Sequence, residues 1–598
     1  MRAALAVFSS GNAPCTPLGT SGFPIVASLR RAFASVNTRA HGLNRAAGQH
    51  GGGSGARPRP CQPLLAAAVP FSAGATAARP MQSPRICILG GGFGGLNTAV
   101  KLDGLVWPEG TKPQITLVDA NERFVFKPLL YELLSGAAGE EEVAPTFEKI
   151  LRPTSVSFVR GQVESVNDGP ATGPEASSGG SVTLKGGALL SYDWLVLALG
   201  SEPRDAGVPG VKELTHGFTS YEDVLALRGA LAALAGNPAP RAVVVGGGYA
   251  GVELAAVLAD VLPPGAAVSL LASGSDILPA APAGQRQIAR EALAGKGVRV
   301  VTGARVAAVE SAAGWAGGAG AAGMTGTTGV AGVAGAPGTA TSPLTAAPVS
   351  WTTPPRRVLL EGAAAAASAP DPSLEAEVVV WAAGSGPTHA PGAGAPGAAP
   401  FPTDAGGATQ TDATLRVLGH PHVFALGDVA VCAEGAGSPG SGGSAPPRLP
   451  ATAQVALQQA DYVAWNLWAA ATGRPLLPFS YQHLGEMMSL GSRAGAVTLP
   501  LPIPPALADA ARGAALGPLL RAAGLSVRGD GSGAPDRLSL EGPLAAAVRR
   551  AAYAYRQPTP EQQARAAADL AKRALGDAAG LARSFLDQAA KGLKSSAR

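Results

Sequence analysis

Arg85-Ile-Cys-Ile-Leu-Gly-Gly-Gly-Phe-Gly-Gly95 runs into the helix-forming stretch Leu96–Leu105 and then, after a short connection, into Gln114-Ile-Thr-Leu-Val-Asp119. Two short aliphatic runs on either side of a glycine loop and a helix spell a strand, loop, helix, strand unit. Inside the loop, Gly90, Gly92 and Gly95 fit the pattern G-x-G-x-x-G. Gly90 permits a tight turn, and Gly92 lets the backbone approach a pyrophosphate. Gly95 lets helix and strand pack closely, and the helix N-terminus faces the phosphate charge. Asp119 stands 24 residues after Gly95 at a strand end, where a carboxylate can accept both ribose hydroxyls of a dinucleotide. Glycine spacing alone says little in a chain with 81 Gly. The flanking strand, the helix and the acid at this distance make it specific.

The unit returns 156 residues later as Arg241-Ala-Val-Val-Val-Gly-Gly-Gly-Tyr-Ala-Gly251, followed by the helical run Val252–Val261 and the apolar run Ala267–Leu271. Gly246, Gly248 and Gly251 take the roles of the first three glycines. The expected fold is α/β with two Rossmann-like dinucleotide-binding domains, one for FAD and one for NAD(P)H. This second unit carries Ala272 where an acid would select NADH. An acid beside a 2′-phosphate would cost up to roughly 4 kcal/mol at about 4 Å. Its absence predicts use of NADPH as well as NADH, provided that Ala272 is in register with Asp119. Tyr192–Gly200 and Val378–Gly384 are apolar strands ending in glycine, each passing the chain between the two domains. Val423-Phe-Ala-Leu-Gly-Asp428 sets an acid at a strand end, where it can bond the ribityl chain of a flavin.

Composition narrows the rest. Lys and Arg total 46 against 41 Asp and Glu, giving a net charge of +5. Residues 1–80 hold eight Arg and no acid, so the excess lies in that leader and no basic nucleic-acid surface is expected elsewhere. An acid-free, Arg- and Ser-containing start reads as an organellar transit peptide. Cys15, Cys61, Cys87 and Cys432 form no CxxC pair, which excludes a zinc ribbon or a redox-active disulfide. His420 and His422 read as a turn before a strand, and no metal is expected. No apolar run is long enough for a transmembrane helix. Residues 81–205 are expected to form the first part of the FAD domain and 206–385 the NAD(P)H domain, with a low-complexity insertion at 311–350. Residues 386–500 complete the FAD domain, 501–540 read as a low-complexity linker, and 541–598 as a helical, membrane-associating segment.

Five segments carry a resemblance: Gly90–Gly95, Phe124-Val-Phe-Lys-Pro-Leu-Leu-Tyr-Glu-Leu-Leu-Ser-Gly136, Gly246–Glu253, Phe424–Asp428 and Thr452-Ala-Gln-Val-Ala-Leu-Gln-Gln459. Together they resemble the type II NAD(P)H:quinone oxidoreductases, single-chain flavoenzymes that do not pump protons. Leu484-Gly-Glu-Met-Met488 and Leu540-Glu-Gly-Pro543 are similar to the plant and algal C-type branch of chloroplasts and mitochondria. The resemblance spans about Arg85 to Val497. It implies two-electron transfer from NAD(P)H to a quinone of the plastoquinone type or to a demethylated precursor of phylloquinone (vitamin K1). It also implies that Gln454 and Gln458, one helical turn apart, border the quinone head group. It places Glu253 near nicotinamide and flavin, and Lys127 and Tyr131 over the flavin. On spacing alone, both glutamines read as exposed and Glu253 as an acid balancing a helix dipole. Gly384 closes the set of expected cofactor contacts.

A lipid-soluble quinone implies peripheral contact with a thylakoid, plastoglobule or mitochondrial surface. Leu570, Ala574, Leu581, Phe585, Ala589 and Leu593, interspersed with basic residues, supply an amphipathic face for it. A homodimer using that helix stays open. So do a ferredoxin-type reductase, a sulfide:quinone reductase and a lipid-droplet protein that binds flavin without turnover.

Overall fold

A computed structural model describes residues 83–168, 179–312, 355–361, 373–388, 401–432, 448–513, 516–528 and 537–573. The expected leader (1–80), residues 313–350 of the expected insertion, residues 433–447 and the C-terminal residues 574–598 lie outside the described residues.

Ile86, Cys87, Ile88 and Leu89 are all buried, as continuous aliphatic runs must be in the middle of a parallel sheet covered on both faces. This strand, β1 (Arg85–Leu89), is the third of five parallel strands, in the order 423–425, 194–197, β1, β2 (Gln114–Asp119), 157–160. Helix α1 (Phe93–Gly104) follows the first glycine loop and buries Leu96, Ala99 and Leu102 against the sheet side of the core. The second unit repeats the arrangement. β3 (Arg241–Val245) lies between β4 (Ala267–Ala272) and 378–381 in a four-stranded parallel sheet, and α3 (Tyr249–Val261) follows its loop. Between them comes the short helix α2 (Leu130–Leu134), within the segment that resembles a flavin cover.

The two glycine-ended strands do carry the chain between the domains. Beyond them, Ser201–Pro203 and Ser385–Pro387 pair antiparallel, and the Trp381 indole N–H donates to the Arg204 carbonyl oxygen at 2.8 Å. The two crossings are thus stitched to each other, which fixes one glycine loop relative to the other.

Two expectations need correction. Residues 501–540 are no linker: β5 (Glu486–Ser489), Gly495–Pro502, Arg537–Glu541 and Leu525–Arg528 form an antiparallel sheet, flanked by helices at Pro505–Arg512 and Gly517–Ala522. Strands of four and five residues such as Arg-Leu-Ser-Leu-Glu alternate over too short a stretch to stand out of an Ala- and Gly-rich background. The start of the C-terminal segment is not free for a membrane either. Helix α5 (Gly542–Tyr555), which follows a long helix α4 (Ala453–Ala471), buries Ala545, Arg549, Ala552 and Ala554 against the body. Gln562 and Ala566, in the helical stretch 560–573, are buried as well. Among the described residues, no helix is long and apolar enough to cross a membrane.

Candidate functional site

The first glycine loop opens on a cleft lined among others by Gly90 to Gly94, Asp119, Lys127, Asp428 and Ala453. Gly90 has φ +100, and a Cβ there would sit 2.3 Å from the Ala198 carbonyl oxygen. A Cβ on Gly95 would sit 1.9 Å from the Gly90 carbonyl oxygen, whereas nothing lies within 4 Å of one on Gly92. Gly90 and Gly95 therefore make the tight turn and the close helix approach, and Gly92 keeps open the place that a pyrophosphate needs. No acid stands in the first turn of α1, so the positive end of its dipole faces the cleft unopposed. A second helix end helps: α4 is capped by Thr452, whose hydroxyl oxygen accepts from Val455 N–H at 3.3 Å, and Thr452 lines the same cleft.

Asp119 occupies the expected strand end. Its Oδ2 accepts from Gly91 N–H at 2.7 Å and its Oδ1 from Asn121 N–H at 2.8 Å. The Asn121 side-chain amide also donates to Oδ1, at 3.2 Å, so Oδ2 is the oxygen that keeps a lone pair for a ribose hydroxyl. Asp428 Oδ2 accepts from Ser201 Oγ at 2.7 Å, and Gly427 N–H donates to Gln459 Oε1 at 2.6 Å. The glycine loop, the helix ends and the acids fit a flavin dinucleotide.

The second loop is built alike. Gly246 has φ +129 and a Cβ there would meet the Ala382 carbonyl oxygen at 2.3 Å; on Gly251 it would meet the Gly246 carbonyl oxygen at 1.8 Å. Gly248 again has open space, and Gly384, at φ +107, ends the returning strand. Hydrogen bonds give the register of the two units: Gly90 N–H donates to the Val118 carbonyl, and Gly246 N–H to the Leu271 carbonyl, both at 2.8 Å. Ala272 is thus the counterpart of Asp119. A Cβ on Gly91 would meet the Phe147 ring at 2.3 Å and Asp119 Oδ2 at 3.2 Å, and one on Gly247 would meet the Ala272 methyl group at 2.6 Å. Beside this loop lies a cleft lined by Ser273 and Trp381 among others, where Arg305, from a different strand, faces Glu361 at 3.9 Å. Local reading missed Leu278: at φ +49 it donates its N–H to the Gly247 carbonyl oxygen at 2.6 Å and pins the loop.

Glu253 is buried, and its Oε1 accepts from Ser489 N–H at 2.6 Å. Burial pushes its carboxyl up to about 7, against the opposing pull of that N–H, of Arg549 and of the Tyr131 hydroxyl. It therefore does not serve the amides of its own helix, as a dipole-balancing acid would. Around it the fold gathers groups from distant segments. Arg549 of α5 forms a buried ion pair with Glu132 of α2, and Arg550 lies 3.5 Å from the same carboxylate. Arg549 Nη1 also donates to the carbonyl oxygen of Pro128, a residue of the cleft wall, at 3.4 Å. The Tyr131 ring packs against that of Phe218, 5.1 Å away and tilted by 41°, and burial raises its hydroxyl well above its ordinary value. Nothing local in the sequence marks Arg549; it lies 417 residues from its partner.

Gln454 and Gln458 share one face of α4, as their spacing implies. Both amides are engaged by the chain itself. Gln454 Nε2 donates to the Gly485 carbonyl at 3.2 Å, and its Oε1 accepts from the Tyr481 hydroxyl at 2.5 Å. Gln458 exchanges two hydrogen bonds with the backbone of Gln482, at 2.8 and 2.9 Å. Both amides hold the segment 481–485 because its backbone has no sheet partner there. His420 pairs with Asp168, Nδ1 to Oδ2 at 2.5 Å, and among the described residues no cluster of three or more metal-ligating side chains occurs. Burial pushes the Cys87 thiol in β1 up to about 12, which leaves it an unreactive core group.

Residues 84–460 match the family described as pyridine nucleotide-disulphide oxidoreductase. A chloroplastic/mitochondrial alternative NAD(P)H-ubiquinone oxidoreductase C1 of Arabidopsis thaliana is 35% identical over 489 residues, covering 80% of this chain and 79% of its own. A demethylphylloquinone reductase of Synechocystis is 34% identical over 500 residues, 83% of this chain and 97% of its own. The solved structure of NDH2 from Plasmodium falciparum with NADH superposes with a TM-score of 0.57 at 15% identity, over 82% of this chain and 98% of that one, a likeness of fold. With two glycine-loop units in matching register and relatives spanning four-fifths of its length, the chain belongs to the pyridine nucleotide-disulphide oxidoreductases and, among them, to the type II NAD(P)H:quinone oxidoreductases, enzymes that use FAD and NAD(P)H.

Proposed function

We propose that this chain oxidises both NADPH and NADH and reduces a membrane-dissolved quinone, of the plastoquinone or demethylphylloquinone class, as a peripheral enzyme of a plastid or mitochondrial lipid surface. The observation that carries the cofactor part is the shared register of the two units, which sets Asp119 against Ala272 at equivalent strand ends. A carboxylate at one end suits the unsubstituted ribose of FAD. A methyl group at the other puts no carboxylate beside the place that a 2′-phosphate would take.

Bound flavin supplies the two-electron chemistry between nicotinamide and quinone. The chain's part is placement and charge. The backbone amides of the glycine loops and the N-termini of α1 and α3 hold the two pyrophosphates. Asp428, braced by Ser201, faces the first cleft as an acceptor for the flavin side chain. Glu253, buried and with a carboxyl that titrates at about 7, can hold or release a proton at working pH beside the place where the two cofactors meet. The AQxxxQ face of α4 and the segment 481–485 that it grips form the side from which a quinone approaches.

The test needs only purified protein. A yellow protein that NADPH or NADH bleaches without air, and that a short-chain benzoquinone or naphthoquinone restores, supports the reading. A protein that is colourless and retains no added FAD refutes it. The lipid-surface part has its own test. Residues 574–598 can be removed without touching the buried Gln562 and Ala566 or the ion pair between Arg573 and Glu142. The full chain should sediment with vesicles of galactolipid and anionic lipid and the shortened one should not; equal sedimentation rejects anchoring by that segment.

A further inference from the structure

Reduction of a quinone by NAD(P)H takes up one proton: NAD(P)H, a quinone and H⁺ give NAD(P)⁺ and a quinol. The hydride brings the electron pair and one hydrogen; the second hydrogen comes from water as a proton and needs a way in. The two glutamines of α4 cannot supply it, because an amide has no proton to give at neutral pH.

We propose that His483 and Tyr481 form the path by which this proton reaches the Gln454 face of α4, with Glu486 positioning the imidazole. The inference rests on the quinone-reductase reading above. The Tyr481 hydroxyl donates to Gln454 Oε1 at 2.5 Å, so its oxygen is left to accept, and His483 Nδ1 lies 3.4 Å from it. The row is therefore oriented, from imidazole to phenol to amide. On the other side of the ring, His483 Nε2 lies 4.0 Å from Glu486 Oε1, and the His483 side chain is 39% exposed to water. Gly485, at φ +95, makes the turn that brings Glu486 back beside the histidine. The Glu486 carboxylate is itself held from the second glycine loop, because the Tyr249 hydroxyl of α3 donates to its Oε2 at 2.8 Å. Arg537, two strands away in the same sheet, is the arginine whose field reaches Glu486, after that of His483. Burial, with the charge of Glu486 second, raises the Tyr481 hydroxyl, which keeps its proton until a stronger acceptor than the amide arrives.

A histidine takes a proton at one ring nitrogen and releases it from the other, as a relay at a surface requires. When a quinone oxygen replaces Gln454 Oε1 as acceptor, Tyr481 gives it the phenolic proton and takes one from His483 Nδ1; water restores the imidazole at Nε2. No electrons move in this transfer.

The test uses full-length, flavin-loaded protein and the variants His483→Asn and Tyr481→Phe. Both should retain FAD and bleach with NADPH at the wild-type rate, while restoration of colour by a short-chain benzoquinone slows about 10- to 100-fold. Imidazole in the buffer should restore His483→Asn and leave Tyr481→Phe slow. Independently of turnover, ¹⁵N-histidine spectra of the protein should show the neutral His483 ring protonated at Nδ1, and Tyr481→Phe should remove that preference. Recovery of colour at the wild-type rate in His483→Asn, absence of rescue by imidazole, or a ring protonated at Nε2 in wild type overturns the relay alone. Wild-type protein that bleaches but is restored by no quinone overturns the functional reading together with it.

Discussion

Replacing Ala272 by Asp should turn the proposed use of both nicotinamides into rejection of NADPH. The residue ends β4, directly beside the second glycine loop, in the place that Asp119 holds beside the first. A carboxylate there finds a ready donor, because Gly247 N–H is the counterpart of the Gly91 N–H that Asp119 accepts at 2.7 Å. The new charge then stands where a 2′-phosphate must lie. One charge pair at about 4 Å and an effective dielectric near 20 repels by about 4 kcal/mol, and water and salt in an open cleft cut this to about 2. Two kcal/mol is roughly a 30-fold loss of kcat/KM for NADPH, at about 1.4 kcal/mol per factor of ten. NADH gains an acceptor for its ribose hydroxyls, so its kcat/KM should hold or rise. Steady-state rates with each nicotinamide and one short-chain quinone read the ratio directly. If Ala272→Asp leaves the NADPH-to-NADH ratio within twofold of wild type, the register of the two units does not decide the choice of nicotinamide, and the argument from Asp119 fails.

Gly95→Ala puts a methyl group on the Gly90 carbonyl oxygen and should abolish FAD retention, whereas Gly251→Ala, clashing likewise with Gly246, should leave the protein yellow but unable to be bleached by NAD(P)H. Absorbance of the purified variants separates the two. Arg549→Met strands the buried carboxylate of Glu132, with Arg550 at 3.5 Å as partial relief, and should lower stability by about 3 kcal/mol in urea unfolding; Arg549→Met with Glu132→Leu should recover most of it. Glu253 binds its proton more tightly in the folded protein than in the unfolded chain, so its contribution is present below about pH 4.5 and lost as pH rises through about 7. Glu253→Gln should therefore be more stable than wild type above pH 7, by up to about 3 kcal/mol, and equal to it near pH 4; the same difference at both pH values would contradict this.

How far local sequence reaches is seen by comparing Asp119 with Arg549. Both glycine loops, their strands, Asp119, Asp428 and the two glycine-ended crossings were legible, because each is set by contacts within a few dozen residues. Positive φ, close backbone approach and a carboxylate at a strand end leave marks at fixed spacing. The place of Ala272 was legible only as a candidate; two hydrogen bonds across the sheet were needed to put it in register with Asp119. Short strands after Gly495 were hidden by their composition, since alternation over four residues has no statistical weight against alanine and glycine.

The glutamines show the opposite limit. Their common face on α4 follows from helical spacing, but what that face meets does not, because the partner segment 481–485 is chosen by the packing of two domains and the sheet after them. Likewise Arg549, Glu132, Tyr131 and Glu253 lie on separate elements, and no periodicity links them. Sequence alone determined the two nucleotide cradles and hence the redox class, since a phosphate site is built from backbone and needs only local geometry. Tertiary structure alone decided which charges are buried together and which side chains line a route to water, because those depend on desolvation and on distances between elements that the chain brings together only when folded.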